Sequence, residues 1–511
     1  MAWTRKTRWI VSASGALAGL LAIALLFVVL LPQTRSWLER AIAPQEEGPV
    51  PPPPVRQGNK AELLINGEAS FLERMHLLDE AARSIYIQAL IFKADTVGYE
   101  IADRLIAKKR KNPQLDIRLI VDALSNVQDI NSQLLYFELR SAGIKVQGYE
   151  AFYLHWMSEV NLKDWKAGNK RYHEKYWIVD GTKAIVGGMN VADEYARADE
   201  EPAMTWRDQD VLLEGEVVGD IQEAFLTNDA AFDSLKKRWP SPMNTDGYWA
   251  AWHGIHPKLR SLVAASMGKT QAWKRASHAP WDPAQLEKRR IRSPLHDNVS
   301  VQFIRNRPRL GETWIAQAYL KAIGEAAKSI TLANAYFIPT AAMKKALVDA
   351  ARRGVEVTVL TNSKETNDIP IITDVARLSY LELIQAGVKV HEWHGERKGE
   401  GTLHAKFGVF DSKVIIMGSY NLDPRSQGLN SEDVVLIENP LMAGELEKQV
   451  KSSDLATADP ISEAQARLWS DPSLVPLADK VEDEVPLPWY DPRFDPDRFE
   501  LFLLRQAEKN L

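Results

Sequence analysis

Two ten-residue stretches decide how this chain is to be understood, Arg171-Tyr-His-Glu-Lys-Tyr-Trp-Ile-Val-Asp180 and Thr402-Leu-His-Ala-Lys-Phe-Gly-Val-Phe-Asp411. In each, a lysine follows the histidine after two positions and an aspartate follows the lysine after five. An asparagine (Asn190 or Asn421) then follows the aspartate after ten. Side chains two positions apart on a strand project to the same face, so each histidine shares a face with its lysine. One such pair is most often a solvated strand face, but two pairs with identical spacing predict a catalytic site.

The two motifs lie within a longer internal duplication. Glu80–Phe92 (EAARSIYIQALIF) reappears as Glu325–Phe337 (EAAKSITLANAYF), and Ala142–Val146 (AGIKV) reappears as Ala386–Val390 (AGVKV). The matches keep one order at an offset of about 230 to 245 residues, which indicates two copies of one domain.

Each copy alternates amphipathic helices with apolar strands, which predicts α/β layers and not a barrel of hairpins. The predicted helices lie at about 69–83 and 97–110 in the first copy, and at about 313–328 and 340–353 in the second. The predicted strands lie at 85–92, 116–122, 144–148, 330–337, 355–361 and 388–392. Two hairpins are predicted to follow, 175–179 with 184–187 and 406–410 with 414–417, turning at Asp180 and Asp411.

Composition narrows the function further. With 511 residues, 45% of them hydrophobic and 26% charged, the chain is long enough for two domains with cores of their own. Its net charge of −5 disfavours nucleic acid as a partner. The chain contains no cysteine, which excludes disulfides, zinc–thiolate sites and a cysteine nucleophile.

The clearest break in composition is Ile10–Leu31, 22 residues without a charge. As a helix this run would be about 33 Å long, enough to span a hydrocarbon core of about 30 Å. Arg5, Lys6 and Arg8 precede it. By the positive-inside rule they predict a single anchor in a bacterial inner membrane, with the catalytic part facing the periplasm. The alternative is a cleaved signal peptide, which the length of the run and the lack of a small-residue cleavage site at its end disfavour.

These breaks divide the chain into six segments. They are an anchor (1–32), a proline-rich linker (33–59), a first domain (60–254), a connector (255–295), a second domain (296–460) and a carboxy-terminal extension (461–511). We expect the linker to be a stiff polyproline spacer that holds the folded part away from the bilayer. For the connector, which contains Trp273 and Trp281, a packed connection is favoured over contact with lipid headgroups.

The paired motifs resemble the HKD motifs of the phospholipase D superfamily, and the similarity extends from Ala61 to Asn439. The resemblance implies two α/β domains related by a pseudo-two-fold axis, with both motifs in one site that uses no metal or cofactor. It also implies that His173 attacks phosphorus and forms a phosphohistidine. His404 would protonate the leaving alcohol and then activate the acceptor. The symmetry of the motifs alone does not distinguish the two histidines.

The same resemblance assigns roles to other polar residues. Those expected to surround the phosphoryl oxygens are Lys175, Lys406, Asn190, Ser419 and Asn421. The first copy has Gly188 where the second has Ser419. Asp208 and Glu432, which align with each other, would orient the histidines. Asp180 and Asp411 complete the catalytic motifs, but their position at tight turns favours a structural role over proton transfer.

Within the superfamily, the residues around both motifs are similar to those of bacterial cardiolipin synthases. The stretches that carry this similarity are Gly187–Tyr195, Tyr336–Pro339 and Gly418–Ser426 (GSYNLDPRS). The resemblance implies transfer of a phosphatidyl group to phosphatidylglycerol at a membrane, with phosphatidylethanolamine a candidate second substrate. One anchor followed by a proline-rich linker departs from the compared members, which have several membrane segments or a peripheral attachment.

Three alternative functions remain open at this stage. One is a phospholipase D that releases phosphatidic acid, and a weaker one is a periplasmic nuclease. The third, a membrane scaffold with a relic site, is disfavoured because both motif sets are complete. The sequence does not determine the oligomeric state.

Overall fold

The computed structural model describes residues 48–122, 130–149, 171–196, 206–238, 257–278, 281–395 and 401–470. Within these ranges, no helix is both long enough and apolar enough to cross a membrane. The predicted anchor at Ile10–Leu31 lies outside the described residues, as does the extension beyond residue 470.

The first copy of the duplication contains eight described strands and five described helices. In chain order they are β1 (Arg56–Leu64), α1 (Gly67–Glu80), β2 (Ser84–Ala89), α2 (Thr96–Lys111), β3 (Asp116–Asp122), α3 (Ile130–Ser141), β4 (Lys145–Tyr149), β5 (Tyr176–Val179), β6 (Lys183–Gly187), α4 (Asp193–Ala196), β7 (Trp206–Arg207), β8 (Asp210–Glu214) and α5 (Val217–Arg238). Two helices follow in the predicted connector, α6 (Pro257–Ser277) and α7 (Pro283–Arg289).

The second copy repeats this order and then continues beyond it. Its elements are β9 (His296–Asn306), α8 (Trp314–Glu325), β10 (Ser329–Asn334), α9 (Ala341–Arg352), β11 (Glu356–Asn362), α10 (Pro370–Arg377), α11 (Tyr380–Gln385), β12 (Lys389–Trp393), β13 (Thr402–Leu403), β14 (Lys406–Phe410), β15 (Val414–Gly418), α12 (Pro424–Gly428), β16 (Glu432–Glu438), α13 (Pro440–Ser452), β17 (Ala458–Pro460) and α14 (Glu463–Ser470). Short 3-10 turns lie at Pro308–Leu310 and Asp454–Thr457. The alternation of helices and strands and the two hairpins predicted from the sequence are confirmed.

Fifteen strands form a single sheet in the order β17-β12-β11-β10-β14-β15-β16-β9-β1-β8-β6-β5-β2-β3-β4. Corresponding strands of the two copies occupy corresponding places on either side of the antiparallel pair formed by β1 and β9. The two copies therefore share one sheet, a feature that the sequence patterns did not predict. The predicted linker, residues 33–59, includes the first residues of β1. The strand begins with a polar, mostly exposed stretch, Arg56-Gln-Gly, which does not resemble a strand of the core.

Helices cover both faces of this sheet. In the first copy, Ile85 and Ile87 of β2 belong to a core that includes residues of α1, α2 and α3. Tyr86 between them points to the opposite face, where its ring stacks on Phe225 of α5 at a centroid distance of 4.9 Å. Because successive side chains of a strand alternate between faces, strands covered on both sides are apolar throughout, as the sequence shows.

The proline-rich segment is bound to the second copy over its described part. The Val50 N–H donates to Glu312 (3.1 Å), while Trp314 Nε1 donates to the Val50 carbonyl (2.9 Å). Gln302 donates to the carbonyl of Pro53 (2.8 Å). An extended polyproline segment has no internal hydrogen bonds, so its backbone groups are available to neighbouring side chains. Residues 50–53 of the predicted spacer are therefore attached to the folded second copy.

The second copy also extends past its predicted end at residue 460. In α14, Ala466 is buried in the core of the second copy. Trp469 lies under the guanidinium of Arg377, 4.2 Å from the ring centroid, and meets Tyr380 edge-on. The first ten residues of the predicted extension thus belong to the folded second copy.

Candidate active site

The backbone at His173 is held by the other copy of the domain. The His173 N–H donates to the carbonyl of Ser431, and the Ser431 N–H donates to the carbonyl of Arg171, both at 2.8 Å. Ser431 directly precedes Glu432 in the chain. This pairing therefore places the first histidine beside an acid of the second copy.

The second histidine has the equivalent arrangement. β13 pairs in parallel with β7, with Leu403 opposite Arg207. The His404 N–H then donates to the Arg207 carbonyl at 2.8 Å. Since Asp208 follows Arg207, the second histidine lies beside an acid of the first copy.

Each imidazole contacts one of the two predicted orienting acids. His173 Nδ1 lies 2.7 Å from Glu432 Oε2, and His404 Nδ1 lies 2.7 Å from Asp208 Oδ2. Both carboxylates are fully buried. A carboxylate that accepts a hydrogen bond from Nδ1–H favours the tautomer in which Nε2 carries a lone pair. That lone pair is required for attack on phosphorus. The sequence singled out these acids but did not predict that they cross between the copies.

Glu432 is held by three further side chains. Ser419 Oγ donates to it at 2.5 Å, Ser426 Oγ at 2.9 Å and Asn430 Nδ2 at 3.1 Å. The expectation that Ser419 binds a phosphoryl oxygen is therefore corrected, because its hydroxyl is committed to Glu432 and to the backbone of Asp433. Ser426 and Asn430 were not singled out from the sequence as site residues. Their closeness in sequence to Glu432, within six positions, was the available signal.

Asp208 is held more sparsely. Apart from His404, it accepts a hydrogen bond from the backbone N–H of Gln209 at 2.9 Å. A Cβ at Gly188 would lie 2.7 Å from both carboxylate oxygens of Asp208. Glycine is needed here because the shorter acid must approach the backbone closely. This explains why the first copy lacks the serine found at Ser419.

The rings around the two histidines also differ. The His404 imidazole packs against Tyr195 and Trp206, with ring centroids 5.2 Å and 4.9 Å away, and these two rings also contact each other. Aligning the copies places Ser426 and Asn430 at the positions of these two aromatic residues. His173 therefore has a polar environment where His404 has an aromatic one.

Both motif lysines are buried beside the histidines. Lys175 Nζ donates to the carbonyl of His173 at 2.7 Å. Lys406 Nζ donates to the carbonyl of His404 and lies 3.0 Å from its Nδ1. Burial lowers the pKa of Lys175 to about 7 and that of Lys406 to about 8, although nearby carboxylates oppose the shift. Two ammonium groups so placed can stabilise the charge of a phosphoryl group.

The pKa values of the two orienting carboxylates are shifted in opposite directions. Burial lowers the pKa of His173 to about 4, with Glu432 opposing and Lys175 assisting. Burial raises the pKa of Asp208 to about 7 against the opposing charge of Lys406. Burial also acts to raise the pKa of Glu432, but the charges of His173 and Lys175 and the hydrogen bonds outweigh it, so that pKa is lowered. Glu432 thus keeps its charge more firmly than Asp208.

The two motif asparagines are placed differently. Asn190 donates to the Tyr195 hydroxyl (2.8 Å) and accepts from the backbone N–H of Ile91 (3.1 Å). Asn421 is buried, and its Oδ1 has no hydrogen-bond partner among the described residues. The first amide positions an aromatic residue next to His404, whereas the second has unused hydrogen-bonding capacity.

The motif aspartates lie at the far ends of their strands from the histidines. Asp180 accepts from the backbone N–H groups of Ala82, Arg83 and Ser84 at 2.6–2.9 Å. Asp411 makes the same contacts with residues 327–329. The five residues from Lys175 to Asp180 correspond to about 16 Å of extended chain. Neither aspartate is brought to the imidazoles, which favours the structural role considered from the sequence.

Comparisons with known proteins show the family to which the chain belongs. A family model described as "Cardiolipin synthase, PLD-like domain" matches residues 75–226 and 319–453, together more than half of the chain. The chain belongs to this phospholipase D-like family. Both histidine motifs, and most of each copy of the duplication, fall within the matched residues.

Two relatives are similar to this chain in sequence, and one solved structure is similar to it in fold. "Cardiolipin synthase 1" of Bacillus anthracis is 28% identical over 386 residues, covering 75% of this chain and 64% of that protein. "Cardiolipin synthase" of Clostridium perfringens is 26% identical, covering 77% and 70%. The chain thus spans just under two thirds of the Bacillus protein. The crystal structure of phosphatidylserine synthase from Haemophilus influenzae shares the fold, with a TM-score of 0.54 at 15% identity, covering 78% of this chain and 87% of that one.

Proposed function

We propose that this protein is a phosphatidyltransferase that makes cardiolipin from phosphatidylglycerol and a second phospholipid. The observation that carries the proposal is the crossed pair of imidazole–carboxylate contacts, His173 with Glu432 and His404 with Asp208, with a buried lysine beside each. Two oriented imidazoles and two ammonium groups supply a nucleophile, an acid and charge stabilisation for one phosphodiester. The similarity to cardiolipin synthases supports lipid as the substrate.

In the proposed first step, His173 Nε2 attacks phosphorus of the donor lipid. The bond from phosphorus to the headgroup oxygen breaks, and His404 gives its proton to that oxygen. In the second step, His404 takes the proton of a glycerol hydroxyl of phosphatidylglycerol. That oxygen attacks phosphorus, and the bond to His173 breaks. Lys175, Lys406 and Asn421 would contact the phosphoryl oxygens, and both histidines end as they began.

The difference between the surroundings of the histidines supports these separate roles. Glu432, with four side-chain partners and a lowered pKa, keeps a negative charge against His173 Nδ1–H, which raises the basicity of Nε2. Burial raises the pKa of Asp208 to about 7, so its charge supports His404 less strongly, and burial also lowers the pKa of His404 well below its ordinary value. Both shifts suit a group that must release its proton. The positions of the nucleophile and the acid follow the family resemblance.

The proposal also includes a location and a symmetry. Ile10–Leu31 would anchor the protein in a bacterial inner membrane with the catalytic part in the periplasm. The matching strand order on either side of β1 and β9 supports a pseudo-two-fold axis between the copies. A phosphodiester bound near this axis would meet one histidine from each copy.

The test is an assay of purified full-length protein in liposomes with labelled phosphatidylglycerol, with and without phosphatidylethanolamine, in the presence of EDTA. We expect cardiolipin from the wild type, none from His173→Ala or His404→Ala, and an undiminished yield from His76→Ala, which changes an exposed histidine of α1. Phosphatidic acid as the only product would indicate a phospholipase instead. No turnover of any lipid would contradict the proposal and direct attention to other phosphodiesters.

A further inference from the structure

Helix α6, in the connector between the two copies, differs in charge from the rest of the molecule. Over its 21 residues it contains five lysines and arginines and no aspartate or glutamate, although the whole chain has a net charge of −5. The helix therefore has a net positive charge, opposite in sign to that of the whole chain. Of its basic residues, Arg275 serves the fold, whereas Lys269 and Lys274 have no role in the proposed chemistry.

One side of α6 attaches it to the first copy. Arg275 forms ion pairs with Asp103 of α2 (2.7 Å) and Glu138 of α3 (2.8 Å), and its guanidinium lies over the ring of Tyr99 at 4.7 Å. Gln271, one turn earlier, is the buried residue among the α6 side chains that the structure describes. These contacts determine which face of the helix points away from the protein.

The opposite side of α6 exposes a tryptophan among lysines. Trp273 is 65% exposed, the most exposed aromatic residue among the described large hydrophobic side chains. The Lys274 ammonium lies 5.3 Å from its ring centroid, and Lys269, one turn away, is exposed. The other exposed residues of this stretch are small, Ser266, Gly268, Thr270, Ala272 and Ala276. An exposed indole beside lysines and small side chains suits an interface between water and anionic lipid.

We infer that the outer face of α6 lies on an anionic lipid surface, with Trp273 at the headgroup level and Lys269 and Lys274 against lipid phosphates. Charge complementarity favours this partner, because basic residues near an anionic leaflet attract it while indole is stabilised at its boundary. The contact would hold the first copy against the membrane independently of the amino-terminal segment. It goes beyond the proposed function, since any activity on a bilayer would benefit from it.

The absence of cysteine from the chain makes a site-specific test direct. Ser266→Cys places one thiol on the outer face of α6, two turns from Trp273. Glu216→Cys, whose side chain is 76% exposed just before α5, places the matched control on the opposite face of the sheet. Each full-length variant is labelled with an environment-sensitive fluorophore and reconstituted into vesicles with or without phosphatidylglycerol.

We expect the probe at 266, and not that at 216, to be quenched by nitroxide lipids and protected from aqueous iodide in anionic vesicles. Adding Trp273→Ser, or Lys269→Gln, should weaken this contact by about fivefold each, and vesicles of neutral lipid should abolish it. Equal iodide quenching at both positions in anionic vesicles would overturn the inference. Protection at 266 without vesicles would also overturn it, since that result would indicate contact between protein molecules.

Discussion

His173 and His404 occupy equivalent positions in the two copies, but the residues that hold them are not equivalent. Glu432 is long enough to receive hydrogen bonds from Ser419, Ser426 and Asn430, whereas Asp208 requires the space left by a glycine. A duplicated site would start with identical halves. Differences in these few neighbours give two equivalent imidazoles different surroundings.

Gly188→Ser tests whether the close approach of Asp208 is required. The new Cβ would lie 2.7 Å from both carboxylate oxygens, so Asp208 must move away from His404. We expect kcat/KM to fall by about 10²-fold, as a displacement of about 1 Å can cause. Gly324→Ser, at a helix position with no atom within 4 Å of the added Cβ, is the control and should keep wild-type activity. Wild-type kcat/KM in Gly188→Ser would show that the position of Asp208 is unimportant.

The pH dependence of kcat/KM should report the motif lysines. Their pKa values in the free protein are lowered to about 7 and about 8, chiefly by burial. Each lysine carries its charge below its pKa and loses it above, so kcat/KM should fall as the pH rises from about 7 to 9. Lys406→Arg should remove the part of this fall near pH 8, because guanidinium stays charged, and leave the part near pH 7 that Lys175 causes, while lowering the maximal rate. An unchanged alkaline limb in Lys406→Arg would assign the limb to another group.

At the scale of elements, each motif aspartate connects two parts of its copy. Asp180 follows β5, and its carboxylate binds the three backbone N–H groups that lead into β2. Asp180 and Asp411 both adopt a left-handed backbone, with φ of 54° and 53°. This conformation is accessible to aspartate and asparagine but costly for most side chains. The aspartate thus joins the hairpin to the neighbouring strand.

Asp180→Ala should lower stability more than activity. It removes the acceptor of three N–H groups and leaves alanine in a left-handed conformation, for a loss of about 2 kcal/mol in the free energy of unfolding. Asp180→Asn tolerates that conformation and should lose less. The measurements are urea unfolding and kcat at a temperature where both variants are folded. A folded Asp180→Asn that lost kcat by 10²-fold would instead place this residue in the chemistry.

At the scale of the whole molecule, the active site depends on contacts between the copies. The central pair of β1 and β9 makes the sheet continuous. Arg207, next to Asp208, forms a buried ion pair with Asp454 of the second copy (2.9 Å) and donates to the carbonyl of Asp208 (3.1 Å). A residue beyond α13 thereby helps to position the acid at His404.

Asp454→Asn should therefore affect both stability and catalysis. Removing one partner of a buried ion pair leaves the Arg207 charge uncompensated, at a cost of about 3 kcal/mol. The released Arg207 should also lower kcat. Replacing both residues, as in Arg207→Met with Asp454→Leu, should recover much of the stability but not the activity. Thermal unfolding and kcat are the measurements, and Asp459→Asn, at an exposed position of β17, is the control. Wild-type stability in Asp454→Asn would show that the pair contributes nothing.

The sequence by itself determined the duplication, the alternation of helices and strands, the two hairpins and the histidines, lysines and orienting acids of the candidate site. These follow from local patterns, such as apolar runs, turn residues and fixed spacing between His173, Lys175 and Asp180. Each such pattern depends on chain neighbours, which the sequence displays directly.

Only the tertiary structure decided how those residues are combined. His173 meets an acid 259 positions away and His404 one 196 positions away, and each acid comes from the opposite copy. The role of Ser419, the need for glycine at Gly188 and the attachment of Val50 to the second copy likewise depend on which strands pair and in what register. Such contacts are set by the packing of the whole sheet, because the energy of each depends on burial and distances that no local stretch of chain encodes.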